Sequence, residues 1–380
     1  MPIHHRTSAR LPGTQGRKTI VKTNTFEIDF PKEDFSHYDV LRTPAMDRRE
    51  AAAKPGDDKD TKPKPPNHRY ALEIMDFLQT RVDPASFNPR GAYDGQSNLF
   101  LWRPRIGAER KWTFNMPKDS DRSHTIELKK VAEIKTHVLQ DLVKGIEKPH
   151  SEIALAAVNV VVRMIPIQKN PFYTKKSFFK AMQARSIGGG LELAEGWFQS
   201  VRPAIGKLLI NLDTTSTVMY KRGPLIEVCL DFVGANRGGV DVRNALSPNS
   251  KSMSRLSELS RFLKGRRVCN SEPHPNAGKK TRGGRRREHI IEEILPVGAV
   301  RLWFSKQEGH RVSILQYFAG QGIKLRFPTI ICAKLRAQNP GMTIVMPIEL
   351  LELVPGQMFK RRIPGEVASQ MIKMTQVKPA

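Results

Sequence analysis

The sequence predicts a multidomain α+β protein, mixed α/β in its first part and richer in strands towards its end. Three observations predict this class. At 380 residues the chain is long enough for two or three domains, each with its own core. Strand-like alternation and helix-like periodicity both recur along the chain. Stretches that lack large apolar residues interrupt these patterns and mark candidate boundaries.

The charge balance limits the partners that the protein can have. The formal net charge is +26 and the pI is near 10.2. Such an excess favours polyanionic partners, with nucleic acid first and an anionic membrane surface second. No stretch approaches about 18 uncharged apolar residues, so no transmembrane helix is expected. The first residues are basic and lack an apolar segment, so a secretory signal is not expected.

The cysteines give no sign of a disulfide framework or a zinc site. There are three, Cys229, Cys269 and Cys332, each in or beside a strand-like or basic run and none in a CxxC pair. Reduced thiols in a cytosolic protein are therefore expected. No other residues have the spacing of a catalytic or metal-binding set, so we expect no cofactor and no metal.

The first elements are two strands separated from the rest by a polar stretch. Residues 1–17 form a short basic tail that is expected to be disordered. Thr19–Phe30 alternates as a strand does, and His37–Val40 begins another. Residues 42–69 are rich in Lys, Asp and Pro, which predicts a disordered surface insertion.

Helices and strands then alternate as far as residue 166. Arg69–Arg81 is predicted as a helix because its leucines, methionine and phenylalanine can share one face. The next predicted elements are strands at Ser97–Trp102, Lys111–Met116 and Arg122–Val131 and a helix at His137–Lys144. A stronger helix is predicted over Glu152–Ile165, with Ser151 as its cap and Pro166 as its end.

A glycine triplet, Gly188 to Gly190, opens the next segment, where no side chain constrains the backbone. Leu208–Leu212 is predicted as a buried strand, and Leu225–Val228 as another. Gly234–Lys251 is predicted as a loop because it is rich in Gly, Asn and Ser.

The last part reads as short helices between strands. A helix is predicted over Arg255–Leu263, with Gly265 placed for its C-cap. Arg286–Ile291 is predicted as a strand, Val312–Phe318 as an amphipathic helix and Leu325–Pro328 as a strand.

Several of these segments resemble known ones in residue order. Gly196-Trp197-Phe198-Gln199-Ser200-Val201-Arg202-Pro203, followed by Asn211-Leu212-Asp213 and Tyr220-Lys221, resembles the first linker of eukaryotic Argonaute proteins. Val21-Lys22-Thr23-Asn24 and His37-Tyr38-Asp39-Val40 resemble the opening strands of the Argonaute N domain. Gln316-Tyr317-Phe318 and Met346-Pro347-Ile348-Glu349-Leu350 resemble the PAZ domain. Met371-Ile372-Lys373-Met374 resembles the start of the second linker.

The resemblance implies a domain order. It places the N domain and its following helices at 18–180, the first linker at 181–233, the PAZ domain at 234–356 and the start of the second linker at 357–380. In that family the PAZ domain is an OB-like β-barrel with an inserted hairpin-like module. Barrel and module together clamp the 3′ end of a small RNA.

The resemblance also implies binding residues. Tyr317 matches a tyrosine that contacts the terminal phosphate, and Arg286 and Arg287 match a basic pair that contacts the backbone. Phe304 matches the aromatic residue that closes over the terminal nucleotide, with Trp303 as the alternative lid. Each of them has an alternative to RNA binding. Tyr317 and Phe304 could serve only in packing, and Arg286 and Arg287 could be a solvated charge run.

This chain departs from the family pattern at several of the matching positions. His289 stands where a tyrosine is usual, and it is the fifth expected binding residue, as a donor to a phosphate in place of that tyrosine. Gly322 stands where a second Tyr or His is usual. Val345 stands before Met346-Pro347 where the family has Tyr-Leu-Pro, and His274 is a candidate for an upstream histidine. A weakened 3′-end pocket is therefore one of the expected outcomes.

The implied function is a cytoplasmic or nuclear small-RNA-binding protein of RNA silencing. Its expected partners are single-stranded or duplex small RNA and proteins of a silencing complex, without a membrane. It is expected to be non-catalytic, because the family's cleavage domain does not fit after Ala380. Three alternatives stay open: a regulatory or protein-interaction fragment with a defective pocket, the N-terminal half of a slicer from an incomplete gene model, and a generic basic nucleic-acid binder.

Overall fold

The computed structural model describes residues 17, 23–47, 68–117, 119–170, 172–174, 176–180, 184–235, 241–249, 254–274, 288–305, 311–337, 343–363 and 365–375. The chain folds as two compact units. Unit 1 comprises Met1–Phe178 and Trp197–Thr214, and unit 2 comprises Phe179–Gly196 and Thr215–Ala380. The predicted tail and most of the predicted insertion at 42–69 lie outside the described residues.

The elements follow in chain order. The strands are β1 (Thr25–Ile28), β2 (Phe35–Asp47), β3 (Ala92–Tyr93), β4 (Asn98–Trp102), β5 (Glu109–Met116), β6 (Asp119–Ile134), β7 (Phe172–Tyr173), β8 (Ser177–Phe179), β9 (Arg185–Gly188), β10 (Leu191–Ala204), β11 (Lys207–Tyr220), β12 (Gly223–Pro224), β13 (Arg267–Asn270), β14 (Glu288–Leu295), β15 (Trp303–Ser305), β16 (Arg311–Ser313), β17 (Cys332–Leu335), β18 (Ile344–Pro347) and β19 (Leu351–Leu353). The helices are α1 (His68–Phe77), α2 (His137–Val143), α3 (Ser151–Lys169), α4 (Leu225–Val233), α5 (Val242–Leu246), α6 (Leu256–Leu263), α7 (Ile314–Ala319) and α8 (Gly365–Thr375).

Unit 1 is built on an antiparallel sheet with helices on both faces. Its strand order is β3-β4-β2-β6-β5. Successive side chains of a strand point to opposite faces, so Leu99 and Leu101 of β4 pack in the cluster that contains α1. Phe100 packs on the other face in the cluster that contains α2 and α3. Because both faces are covered, β4 is apolar at consecutive positions.

Several boundaries of unit 1 differ from those predicted. β2 continues to Asp47 and α1 begins at His68, so ordered structure extends into both ends of the predicted insertion. α3 does not end at Pro166 but continues to Lys169, and the carbonyl of Pro166 accepts a hydrogen bond from the amide of Asn170 at 2.9 Å. Ser151 is the first residue of α3 rather than its cap, and its hydroxyl accepts the amide of Lys148 at 3.0 Å.

α3 is long and apolar enough, by length and composition alone, to cross a membrane. Such a helix was not expected from the hydropathy of the sequence. One helix of this kind is weak evidence for a membrane span, because the core helix of a soluble protein meets the same criterion. Ala154, Ala157 and Val158 of α3 are buried in the unit 1 core.

Strands β10 and β11 each contain residues of both units. Within unit 1, β1 pairs antiparallel with β11, with Phe26 opposite Ile210. Within unit 2, β9 pairs antiparallel with β10 after the glycine triplet, with Leu193 opposite Arg185. The predicted strand over Leu208–Leu212 is therefore part of a longer strand.

Unit 2 is organised around an antiparallel sheet with the order β12-β19-β13-β14-β17-β18. A separate hairpin is formed by β15 and β16. One large apolar cluster joins this sheet to α4, α6 and α7. The predicted strand at Leu225–Val228 is wrong, because Leu225, Val228 and Cys229 are buried at the spacing of one helix face in α4.

Two further predictions for unit 2 are corrected. Leu325–Pro328 is not a strand, since the amides of Arg326 and Phe327 bind the carboxylate of Glu349 instead of a neighbouring strand. Gly234–Lys251, predicted as a loop, contains α5. The three cysteines are buried free thiols, and Cys229 lies in a helix rather than in a strand.

Candidate nucleic-acid interface

Tyr317 is held by the short helix α7. Ser313 caps the helix: its hydroxyl accepts the amide of Gln316 at 3.1 Å, and the Gln316 side chain accepts the amide of Ser313 at 2.9 Å. This capping box satisfies two backbone donors that the first turn leaves unpaired. A helix of one and a half turns is marginal by itself, so the cap fixes the direction in which Tyr317 leaves the backbone.

The hairpin of β15 and β16 leads directly into α7. Ser313 is both the last residue of β16, opposite Trp303, and the cap of the helix. The amide of Ile314 donates to the carbonyl of Leu302 at 2.9 Å, which fastens the start of the helix to the residue just before β15. Hairpin and helix therefore form one rigid piece, with Phe304 opposite Val312.

Four aromatic rings follow one another across this piece, and we call Phe304, Tyr317, Phe318 and His274 the aromatic row. The Phe304 and Tyr317 centroids are 5.4 Å apart with planes at 73°. Tyr317 meets Phe318 at 5.3 Å and 77°, and Phe318 meets His274 at 5.8 Å and 66°. All three contacts have the edge-to-face geometry that aromatic quadrupoles favour.

The aromatic row leads from the surface into the core. Phe304 is 37% exposed, Tyr317 is half-buried, and Phe318 and His274 are 3% and 8% exposed. The buried end anchors the row and the exposed end offers a ring for stacking. Trp303, the neighbour of Phe304 in β15, is 51% exposed. Because neighbouring residues of a strand face opposite sides, Trp303 is directed away from Phe304.

Among the predicted site residues, Phe304 and Tyr317 are in direct ring contact. His289 lies in β14 directly opposite Val268, which is fully buried. Directly opposed residues of an antiparallel pair share a face, so His289 lies on the inner face of the sheet and not with Glu288 on the outer one. Arg286 and Arg287 lie outside the described residues.

The sequence offers His274 only as a candidate for the upstream histidine of the family pattern. Its place in the aromatic row was not predicted. It follows β13 and is held by a hydrogen bond from its own amide to the carbonyl of Ser271 at 2.9 Å. Its ring contact with Phe318 depends on tertiary structure.

Glu349 fixes the segment that follows α7. Its carboxylate accepts the amide of Arg326 at 2.8 Å and the amide of Phe327 at 3.2 Å. Burial raises the pKa of Glu349, and the two amide hydrogen bonds lower it in part. Burial also raises the pKa of the Cys332 thiol to about 12, so this cysteine is a neutral thiol near pH 7.

No group of three or more His, Cys, Asp or Glu side chains suited to a metal ion occurs among the residues that the structure describes. The interface offers an exposed aromatic face at Phe304 and a half-buried phenol at Tyr317. These groups suit a ligand with bases and phosphates.

Comparisons with known proteins match three family models in order. The N-terminal domain of argonaute matches residues 17–162, the Argonaute linker 1 domain matches 174–221 and the PAZ domain matches 245–372. Among solved structures, Kluyveromyces polysporus Argonaute with a guide RNA is similar with a TM-score of 0.53 and 15% identity, over 96% of this chain and 41% of that one. The chain thus spans about two fifths of the length of that Argonaute.

Two Drosophila structures also match. Drosophila Piwi is 16% identical over 93% of this chain and 37% of that one, with a TM-score of 0.35. A Drosophila Ago-PAZ domain in complex with 3′-end 2′-O-methylated RNA is 20% identical over 35% of this chain and 99% of that one, with a TM-score of 0.27.

The predicted fold class, an α+β multidomain protein with a mixed first part followed by a PAZ domain, is confirmed. The MID and PIWI domains are not among these 380 residues. The order of the three matched models reproduces the order predicted from the sequence. The chain belongs to the Argonaute family and corresponds to its N-terminal domain, linker 1 and PAZ domain.

Proposed function

We propose that the protein binds the 3′ end of small RNA at the aromatic row and does not cleave it. The observation that carries the proposal is the edge contact of the exposed Phe304 ring with Tyr317, on a hairpin joined to a capped helix. The PAZ match supports it, as do similar structures solved with a guide RNA and with 3′-end RNA.

The chemistry of an RNA 3′ end fits these groups. An overhang presents unpaired bases, and each base stacked on an aromatic face contributes about 1–3 kcal/mol. The exposed ring of Phe304 supplies such a face, and the phenol of Tyr317 is a donor for a phosphate oxygen. Stacking and phosphate contacts do not read base edges, so binding is expected to ignore sequence.

We also propose a biological role in RNA silencing, in the cytoplasm or the nucleus, with silencing-complex proteins as further partners. The match to Argonaute domain models supports the role in silencing. The proposal covers binding alone, because the family's cleavage domain is not among these residues.

A fluorescence-anisotropy titration at near-physiological salt tests the proposal. A duplex RNA with a two-nucleotide 3′ overhang is compared with a blunt duplex of the same sequence. We expect the overhang to bind about 5- to 150-fold more tightly, the equivalent of one stacked base. Tyr317→Ala should remove most of this preference. Equal binding of both duplexes by the folded protein would overturn the proposal.

One observation favours a second candidate, a regulatory or protein-interaction protein whose 3′-end pocket is defective. Gly322 follows α7 with φ of +76° and no atom near its missing Cβ, so it gives the pocket no side chain. Val345, in β18 opposite Lys334, adds an aliphatic side chain and no donor. A hydrogen bond to a charged group contributes about 1.5–3 kcal/mol, so missing donors would weaken phosphate binding. In the same titration this candidate predicts equal affinity for both duplexes.

A further inference from the structure

Unit 2 carries a second group of cations, away from the aromatic row, which we call the basic cluster. It consists of Arg261, Lys264, Arg266, Lys360, Arg361 and Arg362. Five of them are exposed, and Arg266 is half-buried. Three come from the end of α6 and the turn after it, and three from the segment before α8.

A hydrogen bond from the Arg361 side chain joins the two halves of the basic cluster, and backbone hydrogen bonds attach one half to β11. The guanidinium of Arg361 donates to the carbonyl of Arg261 at 2.7 Å. The amide of Phe359 donates to the carbonyl of Val218 at 2.9 Å, and the amide of Tyr220 donates to the carbonyl of Gln357 at 2.9 Å. The segment that carries Lys360, Arg361 and Arg362 is therefore fixed along the end of β11.

The ring of Tyr220 positions Arg266 beside the segment that carries the other half of the cluster. Its guanidinium lies over the ring of Tyr220, 4.6 Å from the centroid. The other side of the cluster contacts the same tyrosine, because the Phe359 and Tyr220 centroids are 5.4 Å apart. Gln357 joins this segment to β13, since its side chain accepts the amide of Arg267 at 2.8 Å and donates to the Arg267 carbonyl at 2.9 Å.

The members of the basic cluster lack carboxylate partners in the described part of unit 2, whereas cations around them have partners. The neighbouring pairs are Arg255–Glu258, Arg267–Glu288, Lys221–Asp231 and Arg222–Glu192. The C-terminus of α6 accounts for part of the cluster, because a helix C-terminus favours cations. This accounts for Arg261 and Lys264 but not for Lys360 and Arg362.

Fixed like charges within about one Debye length of each other, about 8 Å at physiological salt, repel and oppose folding. A polyanion relieves this repulsion and releases its own counterions when it binds. The cluster consists of cations, which bind phosphate oxygens through charge and without reading the sequence. Because a single strand is flexible, its successive phosphates can each reach one of several cations that lie on an irregular surface.

We propose that the basic cluster is a second RNA contact, which holds the phosphodiester backbone of a single strand without needing its 3′ end. The proposal rests on the proposed function only in that the ligand is RNA. The cluster adjoins the start of β13, whereas His274 of the aromatic row follows its end. A strand of four residues spans about 13 Å. The cluster is thus a site of its own.

A circular single-stranded RNA tests the proposal, because it has no 3′ end for the aromatic row. Its affinity is measured against salt concentration for the wild type and for Lys360→Gln/Arg361→Gln/Arg362→Gln. The matched control removes the same charge from exposed cations elsewhere: Arg105→Gln/Lys111→Gln/Lys324→Gln. The double variant Lys360→Gln/Arg362→Gln keeps the bond between Arg361 and Arg261 and serves if the triple variant is unstable.

Each phosphate contact to a single strand contributes about 0.7 to the slope of log affinity against log salt. Loss of three contacts should lower the slope by about 2 and the affinity about 50-fold at 0.15 M salt. The control triple variant should change this slope by less than about 0.7, the contribution of one phosphate contact. The preference for an overhang over a blunt duplex, which belongs to the aromatic row, should survive in the cluster variant.

Three results would overturn the proposal. Equal losses in the cluster and control variants would mean that only the total charge acts. Absence of binding to circular RNA would mean that RNA is held by its end alone. Cluster-dependent binding to phosphatidylserine vesicles, with no cluster-dependent binding to circular RNA, would mean that the surface meets a membrane.

Discussion

The ring of Phe304 meets the ring of Tyr317 edge-on, with centroids 5.4 Å apart and planes at 73°. One residue lies in a hairpin strand and the other in a helix, and Ser313 ends the hairpin and caps the helix. Their relative position is therefore fixed before any ligand arrives. Such preorganisation lowers the entropy that binding costs.

Phe304 rather than Trp303 is expected to stack on the terminal nucleotide. Phe304→Ala should weaken binding of an overhang duplex by about 5- to 150-fold, the value of one stacked base. Trp303→Ala is the matched control, since it removes a more exposed ring from the other side of the same strand. Titrations of both variants decide between them. A larger loss with Trp303→Ala would make Trp303 the lid.

The cap of α7 is expected to matter for both stability and binding. Ser313→Ala removes the acceptor for the amide of Gln316 and should cost about 1 kcal/mol in the free energy of unfolding. Binding of the overhang duplex should weaken as well, because Tyr317 loses its fixed direction. Ser313→Thr keeps a hydroxyl and should restore much of both, as urea unfolding and titration would measure. An unchanged affinity in the alanine variant would show that the cap does not position Tyr317.

The glycine triplet offers a matched pair of stability variants. Gly188 and Gly190 both have positive φ, +79° and +74°, so alanine at either costs about 1–2 kcal/mol. A Cβ at Gly190 would also lie 3.1 Å from the Phe262 ring and 3.2 Å from the Val228 carbonyl, whereas at Gly188 it meets nothing within 4 Å. Gly190→Ala should therefore lose about 1–3 kcal/mol more than Gly188→Ala in urea unfolding. Equal losses would contradict the packing of this turn.

Glu349 gives unit 2 a dependence on pH with a defined sign. Burial raises its pKa above the ordinary value of 4.5, so the folded state holds the proton more tightly than the unfolded state. Stability from this group is therefore fully present below pH 4.5 and is lost as pH rises through the folded pKa. The free energy of unfolding of the wild type relative to Glu349→Gln should fall as pH rises from about 4 to about 7. An increase over this range would contradict the burial of the carboxylate.

Parts of the fold could be predicted from local patterns, and the failures have physical causes. α1 was predictable because its apolar residues share one helix face. α4 was mistaken for a strand because Leu225, Ile226 and Val228 at its start resemble one. Its burial at helical spacing shows only over a longer window. Leu325–Pro328 alternates like a strand, but Glu349 takes the amides that a neighbouring strand would need.

Individual residues of the candidate site could be predicted from the sequence, but the contact between them could not. Tyr317 and Phe304 could be named because the residue order around them resembles a known domain. That their rings touch depends on the hairpin register and on the cap at Ser313, which no local pattern encodes. His274 joins the row through a tertiary contact for the same reason.

Photocrosslinking from the RNA terminus tests the central claim most directly. A duplex whose two-nucleotide 3′ overhang ends in 4-thiouridine is irradiated with the protein, and the adduct is mapped by mass spectrometry. We predict an adduct on Phe304 or Tyr317, lost when a blunt duplex with the same terminal base is used. An adduct elsewhere in unit 2, or one equally strong with the blunt duplex, would contradict 3′-end binding at the aromatic row.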